Sequence, residues 1–107
     1  MRDSHLFLLV SQSRSRGIVT ARLEKYRDIT EEWLEKHNVK YNFLRMFPTE
    51  RQEERDANHA IEAARFKSNV LREVDAHFFM ESEKLEAQLM RSQSERLIIC
   101  PEEGTFK

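Results

Sequence analysis

The sequence has 107 residues, which suits a single domain, and its 35% charged and 39% hydrophobic residues exclude a disordered chain because the apolar residues are clustered. Its 18 basic and 19 acidic residues leave a net charge of −1, so bulk charge gives no support to nucleic acid as a partner. No apolar run approaches the roughly 20 residues of a membrane span. Cys100 is the only cysteine, which excludes an intrachain disulfide. Together these features predict a cytoplasmic protein with no membrane partner.

The first half of the chain alternates short apolar runs with one amphipathic segment. Leu6–Val10 is either a short strand or the last turns of a helix. The β-branched run Ile18–Thr20 predicts a buried strand. A helix is expected from about Leu23 to His37, because its apolar residues fall on one side. Phe43–Phe47 predicts another strand, which Pro48 ends.

The second half repeats this alternation after a charged segment. Thr49–Asp56 contains no apolar residue and is interpreted as a solvated loop, an interaction surface or the start of a helix. Helical spacing of apolar residues predicts a helix over about Asn58–Val74 and another over Glu83–Gln93. The apolar runs His77–Met80 and Leu97–Cys100 predict two more strands, the second ending in a buried, inert thiol.

This order of elements predicts an α/β fold. Strands that alternate with helices favour a parallel sheet, and the nearly continuous apolar strands indicate that helices cover both faces in a three-layer arrangement. The whole chain, residues 1–107, is expected to form one domain with a C-terminal tail at 101–107.

Polar residues that could bind a ligand follow two of the predicted strands. In an open α/β sheet, ligands bind at the carboxyl ends of the strands. Thr20 and Arg22 end the first predicted strand, Glu81 and Glu83 follow the third, and Lys67 lies on the helix before it. Cations and a hydroxyl suit a phosphate-bearing ligand, and carboxylates suit Mg²⁺. Taken singly, each residue is also explained as a helix cap, a solvated lysine or a first helical turn.

Several of these segments resemble the haloacid-dehalogenase-like phosphatases. Gly17–Arg22, Tyr26–Leu34 and His37–Met46 resemble the second motif region of that superfamily, and most of all the branch with the phosphatase domain of polynucleotide kinase and related bacterial and phage proteins. Lys67 resembles the family's lysine, and Phe79–Glu83 resembles its acidic motif. The likeness extends over about residues 17–104 and implies a truncated version of the family's fold.

The resemblance also implies roles for individual residues. Thr20 would bind a phosphoryl oxygen, and Lys67 would neutralise the nucleophile and the phosphate. Glu81 or Glu83 would help to hold Mg²⁺, and Arg22 would contact the substrate.

The family's nucleophile has no counterpart in this chain. The superfamily carries an Asp-x-Asp pair on its central strand, and covalent phosphoryl transfer needs the first carboxylate. No Asp-x-Asp occurs here, and Leu6–Ser15 resembles the helix that precedes the second motif better than the catalytic strand. In the family the nucleophile strand lies between the strands that match those ending at Thr20 and Glu81. Without it, these two strands would meet directly, or Leu6–Val10 would lie between them, or another chain would supply a strand. Unpaired edges favour association, so a homo-oligomer or a partner protein is expected.

Three hypotheses for the function follow. The first is a degenerate or incomplete phosphatase domain that is non-catalytic alone and acts as a binding or assembly module. The second is a Mg²⁺-dependent phosphatase of nucleic-acid ends or nucleotides, completed by a partner chain or by a missing N-terminal segment. The third is a small α/β interaction module whose likeness to the family is architectural only, since fold does not fix function.

Overall fold

The computed structural model describes residues 8–11, for which the backbone alone is considered, and residues 16–101. The described chain forms five strands, β1 to β5, which are Leu8–Ser11, Arg16–Leu23, Phe43–Phe47, Ala76–Met80 and Leu97–Ile99. Its four α-helices, α1 to α4, are Arg27–Lys36, Gln52–Ala57, His59–Glu73 and Lys84–Gln93. None of these helices is long and apolar enough to cross a membrane. The predicted α/β class is therefore confirmed.

The strands form one sheet in the order β3-β2-β1-β4-β5. β2 pairs with β3 in parallel and β4 pairs with β5 in parallel, but β1 is antiparallel to both of its neighbours. The sheet is therefore mixed, with four strands in one direction around a reversed central strand, rather than parallel throughout as the sequence suggested. The cause is the short connection at residues 12–15, because a parallel crossover needs a dozen residues or more whereas a hairpin does not.

The position of β1 shows which of the three expected arrangements occurs between the strands that end at Thr20 and before Glu81. Leu9 pairs with Gly17 of β2 on one side and with Phe79 of β4 on the other. The chain's own N-terminal segment thus fills the position between the two strands. Of the two interpretations of Leu6–Val10, the strand is correct for residues 8–10, and the resemblance of Leu6–Ser15 to a helix is wrong for residues 8–11. The rest of that segment lies outside the described residues.

Two further elements differ from the sequence-based expectation. β2 extends to Leu23, and a 3-10 turn at Glu24–Tyr26 precedes α1, so the helix begins later than predicted. The charged segment forms a 3-10 turn at Thr49–Arg51 followed by α2. The segment therefore starts a helix rather than forming a loop.

Two hydrophobic cores lie on opposite faces of the sheet. Neighbouring residues of a strand point to opposite faces, so Ile18 and Val19 of β2 belong to different cores. Ile18 belongs to the core under α1, with Leu34 of that helix and Leu44 of β3. Val19 belongs to the larger core under α3 and α4. The buried members of this second core are Val19, Ala64, Val70, Leu71, Ala76, Phe79, Ala87, Met90, Ile98 and Cys100. The predicted burial of the Cys100 thiol is confirmed.

A third group of apolar residues lies on β4 and β5 outside both cores. Phe78 pairs in register with Leu97, and Met80 pairs with Ile99. Neither core includes these four side chains, and Leu97 is 60% exposed. We call them the β4–β5 patch. Phe78 pairs with Val10 of β1, and Val10 pairs with Arg16 of β2. Arg16 lies two residues before Ile18 on the same face of β2, and Ile18 belongs to the core under α1. The patch therefore lies on the α1 side of the sheet.

On the side of β5 that faces away from β4, an arginine of α4 bonds to the backbone of the strand. The backbone N–H of Glu81 donates to the carbonyl oxygen of Ile99, so the carbonyl of the preceding residue, Ile98, points away from β4. Arg91 donates to that outward carbonyl from Nε at 3.2 Å and from Nη2 at 2.9 Å. Occupied acceptors of this kind hinder the pairing of an edge strand with another chain.

Candidate functional site

A buried lysine between two carboxylates forms the centre of the candidate site. The ammonium of Lys67, on α3, donates to Oε1 of Glu81 at 2.8 Å and to Oε1 of Glu86 at 2.7 Å. Lys67 is 1% exposed, Glu81 is not exposed at all, and Glu86 is 6% exposed. We call these three residues the Lys67 cluster. Two residues that the sequence singled out, Lys67 and Glu81, are thus in direct contact.

The local structure after β4 explains how Glu81 reaches this position. β4 ends at Met80, and the backbone of Glu81 is still bonded to Ile99 of β5. Its Oε2 accepts a hydrogen bond from the backbone N–H of Glu83 at 3.0 Å. Glu83 immediately precedes α4, so one carboxylate joins the end of β4, the start of α4 and the lysine of α3.

Burial is the largest influence on the pKa of the Glu81 carboxyl. Removal from water raises the pKa of the Glu81 carboxyl above its usual range, because desolvation disfavours the charged form. The positive charge of Lys67 and its hydrogen bond oppose this rise, as does the Glu83 N–H, while the charge of Glu86 adds to it. With both carboxylates ionised, the single ammonium of Lys67 leaves the cluster with one net negative charge.

Glu86 and His59 extend the cluster towards the surface, and the sequence analysis did not identify either. Nε2 of His59, at the start of α3, lies 3.8 Å from Oε2 of Glu86, and the imidazole is 56% exposed. A signal for Glu86 was present in the sequence. It lies one helical turn before the buried Met90, and a carboxylate on the buried side of an amphipathic helix needs a partner.

Thr20 and Arg22 lie in a different part of the sheet. Thr20 is 5% exposed, and its hydroxyl oxygen accepts a hydrogen bond from the backbone N–H of Arg22 at 3.2 Å. β1 lies between the strand of Thr20 and the strand that ends before Glu81. Two strand spacings, about 10 Å, separate the two strands. The Thr20 strand and the Glu81 strand are therefore not neighbours, although both end at the same edge of the sheet.

The charged segment after β3 packs over this same edge. Arg55 of α2 donates from Nη1 to the carbonyl oxygen of Ala21 at 2.7 Å, and its side chain is only 17% exposed. The backbone N–H of Lys25 donates to the hydroxyl of Thr49 at 2.8 Å. Sequence reasoning missed Arg55, because a charged residue in a charged run is typical of solvated surface.

The carboxylates do not fit a magnesium ion as they are arranged. Oε1 of Glu81 accepts from the ammonium of Lys67 and Oε2 accepts from a backbone N–H, so Mg²⁺ at this carboxylate would stand beside a second, buried cation. Glu83 is exposed, unlike Glu81. Within the described ranges, no three His, Cys, Asp or Glu residues are grouped as a metal site would require.

Comparison of the chain with protein-family models, with curated proteins and with solved structures gave no match. Its fold and its buried cluster are therefore the observations on which a function has to rest. The cluster holds a lysine and two carboxylates in direct contact where β4 leads into α4, with the imidazole of His59 at its exposed end.

Proposed function

We propose that this chain is a non-catalytic domain of haloacid-dehalogenase-like architecture that acts as a binding or assembly module. The observation that carries the proposal is the Lys67 cluster, in which the lysine and the carboxylate that resemble catalytic residues are bonded to each other inside the protein. A lysine that neutralises a phosphate has to face the ligand. Here two carboxylates take its hydrogen bonds and its charge.

The strand order supports the architectural part of the proposal. The resemblance predicts a central strand flanked by the strands that end near Thr20 and Glu81, and β1 lies between β2 and β4. Helices pack on both faces of the sheet, with α1 on one side and α3 and α4 on the other. A three-layer Rossmann-like domain with a reversed central strand is the fold we propose.

The central strand also supports the absence of independent catalysis. β1 consists of Leu-Leu-Val-Ser and contains no carboxylate. Because it is antiparallel to β2 and β4, its carboxyl end lies at the edge of the sheet opposite to Glu81. A nucleophile at the end of this strand would be a full strand length away from the residues that resemble its partners. Within the described residues of this strand, covalent phosphoryl transfer would thus lack its attacking group.

A binding role is supported by the apolar surface. The β4–β5 patch contains four large apolar side chains outside both cores, and Leu97 is 60% exposed. Phe78, Met80 and Ile99 are half-buried and lie beside the exposed Leu97, and a contiguous apolar patch is typical of interaction sites. Since β1 fills the middle of the sheet, association does not have to supply a missing strand, and a homo-oligomer or a partner protein would use the outer surface instead.

The experiment that tests the proposal is a phosphatase assay with a matched pair of lysine variants. The purified chain is incubated with Mg²⁺ and either p-nitrophenyl phosphate or a 3′-phosphorylated oligonucleotide. We expect no phosphate release above the buffer rate from the wild type. Turnover that Lys67→Ala abolishes and Lys84→Ala leaves intact would overturn the proposal and favour a phosphatase. Since Lys67→Ala could unfold the chain, the exposed Glu83→Gln is tested as well, and a loss of turnover there would point to a metal-dependent enzyme.

The assembly part is tested separately by sedimentation over a range of protein concentrations. Self-association would appear as a mass that rises with concentration. A monomer at every concentration would exclude the homo-oligomer and leave a different protein as the partner.

Nucleic-acid binding is checked by titration with the same oligonucleotide without Mg²⁺, and we expect no saturable binding from a chain with a net charge of −1.

A further inference from the structure

We draw no further inference here: the strongest candidate, the apolar β4–β5 patch of Phe78, Met80, Leu97 and Ile99 on the α1 side of the sheet, carries no proposal because nothing in the structure shows what covers it.

Discussion

Replacement of Lys67 by methionine should destabilise the chain far more than replacement of an exposed lysine. Methionine keeps most of the apolar stem, so little cavity is created, but both carboxylates lose their shared cation. Removal of one partner from a buried ion pair typically costs about 3–5 kcal/mol, because it leaves an uncompensated charge away from water. Small domains have about 5–15 kcal/mol in total, so Lys67→Met should remove a large part of the free energy of unfolding.

The loss should depend on pH, and its sign follows from Glu81. Burial raises the pKa of Glu81 in the folded state, so the folded chain binds this proton more tightly than the unfolded chain. The stabilisation that this proton gives is therefore complete at pH values below the pKa of Glu81 in the unfolded chain. It is lost as the pH rises through the pKa of Glu81 in the folded chain. Without Lys67 the pKa should rise further, and protonation then relieves the unpaired charge. The cost of Lys67→Met should be smallest in acid and largest at neutral pH.

Urea unfolding followed by circular dichroism, at several pH values between acid and neutral, measures both effects. Lys84→Met serves as the control, since Lys84 is exposed at the start of α4. An exposed substitution of this kind should change stability by about 0.5 kcal/mol or less. Adding Glu81→Gln and Glu86→Gln to Lys67→Met should recover part of the loss, because no buried charge remains. Equal losses for Lys67→Met and Lys84→Met, or a loss that does not change with pH, would refute this account of the cluster.

Three other substitutions test separate parts of the fold. A Cβ added at Gly17 would lie 2.0 Å from the ring of Phe43 directly opposite, so Gly17→Ala should lower the thermal midpoint, with an overpacking cost of about 1–3 kcal/mol; an unchanged midpoint would show that the ring does not lie there. Arg91→Ala frees the outward carbonyl of Ile98, and light scattering should detect more self-association than in the wild type. The hydroxyl of Ser68 is buried without a hydrogen-bond partner in the described part of the chain, so Ser68→Ala should leave the urea midpoint unchanged or raise it.

The alternation of elements could be predicted from the sequence, but the direction of one strand was not. Helical spacing predicted α3 closely, because its buried residues recur every three or four positions. An apolar run such as Leu8–Ser11 carries no information on strand direction. That direction follows from the length of the connection at residues 12–15, which permits a hairpin and excludes a crossover.

The candidate site was predicted in part. The resemblance identified Lys67 and Glu81, and the structure places them in contact. Arg55 was missed because it lies in a polar helical segment, where a charged side chain is normally solvated. Glu86 was missed although its spacing from Met90 placed it on the buried side of α4. Their partners, the ammonium of Lys67 and the carbonyl of Ala21, are brought near only by the packing of helices on the sheet. Tertiary arrangement of this kind is not encoded in local spacing.

The reversed central strand has a consequence for how the protein folds. β2 and β3 are joined by α1, and β4 and β5 are joined by α4, so each parallel pair is built from residues close in sequence. The backbone ladders of the two pairs meet, in the described part of the chain, only through β1, whose Leu9 pairs with Phe79, a residue distant from it in the sequence. Such a long-range pairing is slow to form because a large loop has to close first. We expect the sheet to be completed at its middle, when the first strand of the chain finds β4, rather than by growth at an outer edge.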